Sequence, residues 1–324
     1  MTRNIIIAAA LAASLCPIAL AQVNLANYQR VGRYNLPSGL TQAREASGVT
    51  WNRDTNTLFV VGDGGRGIAQ VSLTGNLIDS MALATGTSPQ GTAFYDPEGI
   101  AYLGNGQFAF VEERSSIVSR FTYAAGTTLS RSGAQSVVIA TTSPSPGNAG
   151  YEGMSYDPTT GGFIFIKEIA SRGIFSTVVD FNAGTTSNFY KPASPTNLFN
   201  PSFAGLTDFA DVYAVANSNF FSGSTANNLL IISQEDGRIV EVDRAGNIIS
   251  QLLITGDPAD QISMPDMQHE GITMDDRGYI YVVNENGGGD INFPQLWVYA
   301  PIPTPGAAAL LGLGALGAAR RRRR

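Results

Sequence analysis

The sequence of 324 residues has one histidine, one cysteine and only two lysines, Lys167 and Lys191. A lone histidine excludes any mechanism that needs two imidazoles. The cysteine, Cys16, sits inside an N-terminal apolar run, so a body freed of that run has neither a disulfide nor a thiol nucleophile. No Gly-x-Ser-x-Gly nucleophile elbow occurs. Charged residues make up only 14% of the chain, and no long amphipathic helical period appears outside its two ends.

What the chain does have is 36 glycines and a recurring phrase. An acidic residue precedes Gly and an aliphatic residue, and a second acid follows 15 or 16 positions later. The copies are Glu98-Gly99-Ile100 with Glu113, Glu152-Gly153-Met154 with Glu168, and Glu270-Gly271-Ile272 with Glu285. A weaker copy, Ser47-Gly48-Val49 with Asp63, opens the series, and a degenerate one fits Asp211-Val212-Tyr213 with Glu235. The glycines at 48, 99, 153 and 271 are 51, 54 and 118 residues apart, the last gap spanning two units. Five repeats of about 50 to 60 residues are the signature of a propeller or array.

Between the two acids of each unit lies a short apolar run: Leu58 to Val61, Phe108 to Val111, Phe163 to Ile166, Leu230 to Ser233 and Ile280 to Val283. Such runs, bounded by turn residues, read as strands buried on both faces. Each unit then opens with a hairpin and continues with further strands, three or four in all, the content of a propeller blade. The expectation is a single all-β domain, a five-bladed β-propeller. Its ring closes where the N-terminal strand Tyr28 to Leu36 pairs beside Gln295 to Tyr299.

A hairpin returns its second strand to the edge where its first began, so the two acids of a unit share one edge. The first strand of a blade lines the channel. Nine acids would thus gather at one mouth: Asp63, Glu98, Glu113, Glu152, Glu168, Asp211, Glu235, Glu270 and Glu285. Carboxylates that close repel unless a cation sits among them, and a hard ion with oxygen ligands suits them. Calcium fits such a ring better than magnesium, which takes few protein ligands. The same acids could instead cap turns or pair with Arg66, Arg114, Arg172 and Arg238.

Both ends read as targeting segments. Arg3, the apolar run Ile5 to Leu15 and the small residues Ala19-Leu20-Ala21 form an export signal over residues 1–21; Leu15 before Cys16 fits a lipoprotein box poorly. The propeller spans 22–300. Residues 301–324 hold a Pro-rich motif, an apolar stretch from Ala307 to Ala319 and five arginines. That apolar stretch is short for a spanning helix, and its arginines would stay on the cytoplasmic side. Six of the 20 basic residues lie in these ends, which leaves 14 against 26 acids, a net of −12 for the body. So acidic a surface argues against nucleic acid.

The phrases Asp96-Pro97-Glu98-Gly99-Ile100 with Val111-Glu112-Glu113-Arg114, Gly150-Tyr151-Glu152-Gly153-Met154 with Lys167-Glu168, and Gln268-His269-Glu270-Gly271-Ile272 carry a resemblance to the SdiA-regulated family of bacterial propellers. Ile232-Ser233-Gln234-Glu235 is similar too, and the resemblance runs from about Tyr28 to Tyr299. It implies five blades and a calcium site, with Glu98, Glu152, Asp211 and Glu270 nearest the ion. The fourth unit departs most, since Asp211 lacks the glycine and Asn217 to Asn228 reads as an insertion. The tail resembles a PEP-CTERM sorting signal, with Pro303-Thr304-Pro305-Gly306 in place of Pro-Glu-Pro. That likeness implies removal by an exosortase, delivery to the cell surface or matrix, and membrane attachment only through the tail.

Two functional readings follow. One is an exported, calcium-binding surface propeller that holds a matrix polysaccharide or an envelope protein. The other is a calcium-dependent hydrolase of phosphoesters or lactones, with Lys167, Arg114 or Arg172 as its cationic partner and a metal-bound water as nucleophile. His269, next to Glu270, could serve a triad or be structural. The glycine-rich run Gly62 to Gly67 reads as a turn, since no helix follows it to hold phosphate. Trp51, Tyr95 and Tyr151 could stack on a ligand or pack between blades.

Overall fold

A computed structural model describes residues 23–139, 150–168, 171–187, 196–254, 267–287 and 293–302. The expected export signal, 1–21, and the expected sorting tail, 301–324, fall outside those residues, apart from 301 and 302. Among the described residues, no helix is long and apolar enough to cross a membrane.

The strands form five main sheets set round an axis, a five-bladed propeller, beside a two-stranded ladder of 179–180 and 185–186. In chain order, blade 1 runs through strands 46–52, 57–62, 67–71 and 77–83, and blade 2 through 97–104, 107–112, 117–122 and 135–138. Blade 3 has 153–157, 162–167 and 173–177, and blade 4 has 211–214, 229–233, 238–242 and 248–253. Blade 5 takes 269–274, 280–284 and 295–301 from the end of the domain and its outermost strand, 28–35, from the start. The closing pair is antiparallel, with Tyr34 opposite Leu296 and Tyr28 opposite Pro301. The ring therefore shuts as expected, through a blade shared by the two ends.

The second strand of each blade shows why the apolar runs are continuous. Leu58 and Val60 face blade 5, whereas Phe59 and Val61 face blade 2. Phe163 and Phe165 face blade 2, whereas Ile164 and Ile166 face blade 4. Period-two alternation thus divides each run between two interfaces. The core is five apolar clusters, one between each pair of neighbouring blades.

The glycines of the repeat set the radius of the ring. A Cβ on Gly48 would lie 2.0 Å from the carbonyl oxygen of Glu98, and one on Gly99 would lie 2.3 Å from the amide nitrogen of Met154. Gly153 and Gly271 meet the next inner strand as closely, at Asp211 and Ser47. In these four blades the inner strand meets its neighbour too closely for any side chain but glycine's. Hydroxyls reinforce the contact: Trp51 N–H donates to Thr273 Oγ1, Tyr102 N–H to Thr50 Oγ1 and Ala214 N–H to Ser155 Oγ, at 2.9–3.1 Å.

One residue beyond these glycines, Val49, Ile100, Met154, Val212 and Ile272 are each at most 3% exposed, and together they floor the channel. The inserted segment of the fourth unit lies at the far end, away from the acidic edge. It ties blade 4 to blade 5 through Ser218 Oγ to the Asp275 carbonyl at 2.9 Å and, across the channel, to blade 1 through Arg53 to the Asn217 carbonyl at 2.6 Å.

Candidate functional site

Above that floor the channel widens into a cavity of about 210 Å³. Seven of the nine expected acids line it: Asp63, Glu98, Glu113, Glu152, Glu168, Glu270 and Glu285. Ala210, Gln234, Gln268 and Arg114 complete the wall.

Backbone irregularity marks the position of the first acid in blades 1, 2 and 5 and aims Glu98 and Glu270 into the mouth. The ladder skips a residue at Ser47 in blade 1 and at Glu270 in blade 5, and it shifts again between Pro97 and Ile100, across Glu98. A bulged residue is re-aimed while its neighbours keep their faces. His269, one step back from Glu270, points the other way and is fully buried, its ring 4.4 Å from that of Trp297. Burial, helped by the positive charge of Arg30, lowers its pKa to about 3. The histidine is a neutral core residue outside the cavity.

A second device holds the other acid. Glu45, Asp96 and Gln268, each two residues ahead of the bulge, adopt left-handed φ values of 49°, 60° and 48°. Such strain in non-glycine residues persists where the surroundings enforce it. The Asp96 and Gln268 carbonyls accept the N–H groups of Glu113 and Glu285 at 2.9 and 3.1 Å, fixing those acids against the mouth. In blade 4 the Asp208 carboxylate does this work, accepting from Gln234 N–H and Glu235 N–H at 3.1 and 3.2 Å.

Blade 4 also departs from the expected register. Asp211 pairs with Ile232 as Gly153 pairs with Ile166 and Gly271 with Val283. Asp211 therefore stands at the glycine position and Ala210 at the acid position. By the same count, Gln234 matches Glu168 and Glu285. The Asp211 carboxylate is 2% exposed and accepts N–H groups of Ile272 and Val212 at 2.9 and 2.7 Å. It braces inner strands together below the mouth. Glu235 is exposed, and neither it nor Asp211 lines the cavity.

The electrostatics are one-sided. Burial, then Glu152 and Asp63, raise the Glu98 pKa well above its ordinary value. Burial and Glu113 do the same to Glu152, and burial and Glu285 to Glu270. Burial, then the nearby Glu45, bring Glu285 to about 7, and burial with Glu285 and Glu45 brings Asp63 to about 9. Arg114 is the one cation among the described lining residues, and it is ion-paired with Asp96 and lies 3.9 Å from Glu113. The Glu168 carboxylate accepts from Gln234 Nε2 at 2.7 Å.

Other candidates take structural roles. Trp51 and Tyr151 are buried in the interfaces between blades, and only Tyr95 is exposed. Arg238 lies 3.5 Å from Asp236 on the outer surface, and Arg172 rests over the Phe209 ring at 5.6 Å. Sequence reasoning assigned no site role to Asp96, Gln234 or Gln268. Their signal was positional: Asp96 and Gln268 stand two residues before an acid of the repeat.

The profile of the SdiA-regulated family matches residues 24–287, most of the chain. The chain belongs to the SdiA-regulated family. Solved structures of similar form include glutaminyl cyclase from Myxococcus xanthus, at 12% identity and a TM-score of 0.49, covering 84% of this chain and 95% of that one. A luciferin-regenerating enzyme matches at 12% identity and 0.45, covering 84% and 94%. A catalytically inactive virginiamycin B lyase from Staphylococcus aureus with quinupristin matches at 14% and 0.38, covering 78% and 66%. Likenesses this distant carry no argument about what this chain does. For a member of the SdiA-regulated family, function has to be argued from the acidic mouth.

Proposed function

We propose that the protein is an exported, calcium-binding β-propeller whose mouth serves binding rather than catalysis. The observation that carries this reading is seven carboxylates and a single guanidinium around one closed-bottomed cavity. Such a wall is self-repelling in water-poor surroundings and becomes favourable when a hard dication accepts its oxygens. Calcium takes six to eight oxygen ligands in a flexible geometry, which a ring of carboxylates supplies. Binding is favoured over hydrolysis because the cationic partner that a metal-bound water would need is not free: the described lining has no lysine, and its only cation is tied to Asp96. The partner is an oxygen-rich surface ligand, a matrix polysaccharide or an envelope protein, held at the calcium-loaded mouth. Residues 1–21 direct export, and the tail from 301 to 324 is a sorting segment cut by an exosortase-type enzyme.

Calorimetric titration of the chelator-treated full chain tests the centre of this reading. Calcium binding is expected for the parent and weakened at least tenfold in Glu98→Gln, Glu152→Gln and Glu270→Gln. No heat with the parent would refute it. Turnover of a generic phosphoester or lactone in calcium, lost in the same variants, would favour the hydrolase instead.

A further inference from the structure

The carboxylates of the mouth are not equally available. Side-chain hydrogen bonds join Glu270 to Glu285, Glu113 to Glu152 and Asp63 to Glu45, and Glu168 is held by Gln234. Glu98 differs from all of these. It is 6% exposed, its carboxylate faces the cavity, and among the described residues it accepts no hydrogen bond and makes no ion pair. Beside it, Asp63 Oδ1 is also buried without a partner. An oxygen shut away from water, as Asp63 Oδ1 is, is costly to leave unmatched, so an absent partner is implied beside Glu98.

Two groups of acids meet at Glu98. Ligand oxygens of Asp63, Asp96 and Glu98 lie within 4.8 Å of one another, and so do those of Glu98, Glu113 and Glu152. Oxygens bound to one calcium at 2.3–2.6 Å can be no more than about 5 Å apart, so either trio can close on one ion. The trios lie side by side, one at the junction of blades 1 and 2 and the other at the junction of blades 2 and 3. Within the first, Asp96 already accepts from Gln90 Nε2 at 2.6 Å and pairs with Arg114, which leaves Glu98 and Asp63 Oδ1 as its open ligand oxygens.

We propose that the mouth holds two adjacent divalent cations bridged by the carboxylate of Glu98, one completed by Asp63 and Asp96 and the other by Glu113 and Glu152. This rests on the reading of the mouth as a cation site and specifies its number of ions and its place off the axis. Charge favours the second ion. With Asp96, eight carboxylates against one guanidinium leave seven negative charges, of which one dication offsets two and a pair offsets four. A carboxylate has lone pairs for two ions, one on each oxygen. Two-metal sites bridged in this way hold their ions about 3.5–4 Å apart. Blade 4, with Ala210 and Gln234 where blades 2, 3 and 5 carry acids, is left as the side from which a ligand's oxygens reach the pair.

Equilibrium dialysis of the chelator-treated full chain against radiocalcium tests this. The expected result is two ions per chain for the parent, one for Asp63→Asn, one for Glu152→Gln and none for Glu98→Gln, with near-ultraviolet circular dichroism confirming that each variant is folded. If Glu98→Gln does not fold, the loss of one ion in each of the other two variants still decides the matter. One ion per chain in the parent would overturn the bridge and leave the proposed function standing. No ion in the parent would overturn both.

Discussion

Removing calcium should make the stability of this protein fall as the pH rises from about 5 to about 8. The carboxyl of Glu285, 8% exposed, has its pKa raised from 4.5 to about 7 by burial and the neighbouring Glu45. A raised value means that the folded state holds its proton where the unfolded chain has lost it. The stabilisation is complete below about pH 4.5 and is lost as the pH climbs through 7. At about 1.4 kcal/mol for each pH unit between the two values, this one carboxyl accounts for about 3 kcal/mol. Glu98, Glu152 and Glu270 are shifted the same way, and Asp63, raised to about 9, extends the decline to higher pH. With a urea m value of about 3 kcal/mol/M, the unfolding midpoint in chelator should drop by about 1 M from Glu285 alone. Calcium at about a hundred times its dissociation constant adds about 2.7 kcal/mol, and it binds best where the acids are ionised, so its presence should flatten the profile. A midpoint in chelator that stays level or rises between those pH values would refute the reasoning.

Other perturbations separate scaffold from site. Gly99→Ala puts a Cβ 2.3 Å from a backbone nitrogen of blade 3 and should cost at least about 3 kcal/mol, whereas Gly126→Asn, left-handed in open space, should shift the midpoint by less than about 1 kcal/mol. Asp211→Ala strips buried N–H groups of their acceptor and should destabilise by about 3 kcal/mol in urea while leaving the calcium stoichiometry of the folded fraction unchanged. Gln234→Glu supplies the acid that blade 4 lacks and should tighten calcium binding severalfold by calorimetry, whereas Glu235→Gln, on the exposed side, should leave it within twofold.

The fold was legible because its constraints are strict. Close approach at the axis demands glycine at 48, 99, 153 and 271, and strands buried on both faces demand unbroken apolar runs. The three Glu-Gly copies and Asp63 were placed correctly at the mouth for the same reason. Blade 4 escaped because its axis position is filled by Asp211, whose short carboxylate bonds the adjoining backbone amides. An acid at that place looked like the repeat's glutamate shifted by one residue. In a strand a shift of one moves a side chain to the opposite face, so the error carried on to Glu235 when Gln234 faces the cavity. The rim residues Glu45, Asp96 and Gln268 are set by left-handed backbone conformations, and none is a residue type that announces such a φ as glycine does.

The shared fifth blade has a consequence for the order of events in folding. Strand 28–35 leaves the ribosome first, yet its partner, 295–301, is made last, and the pairing spans almost the whole domain. Such a non-local contact forms late, after the loop entropy of the intervening blades has been spent. Until it forms, the inner strands need not converge, and acids from blades 1 and 5 need not face those of blades 2 and 3. The mutual repulsion of the mouth is therefore felt chiefly at ring closure. A cation that relieves it acts on a contact made after the folding barrier, and so works as a latch: it slows the opening of the ring far more than it speeds its formation.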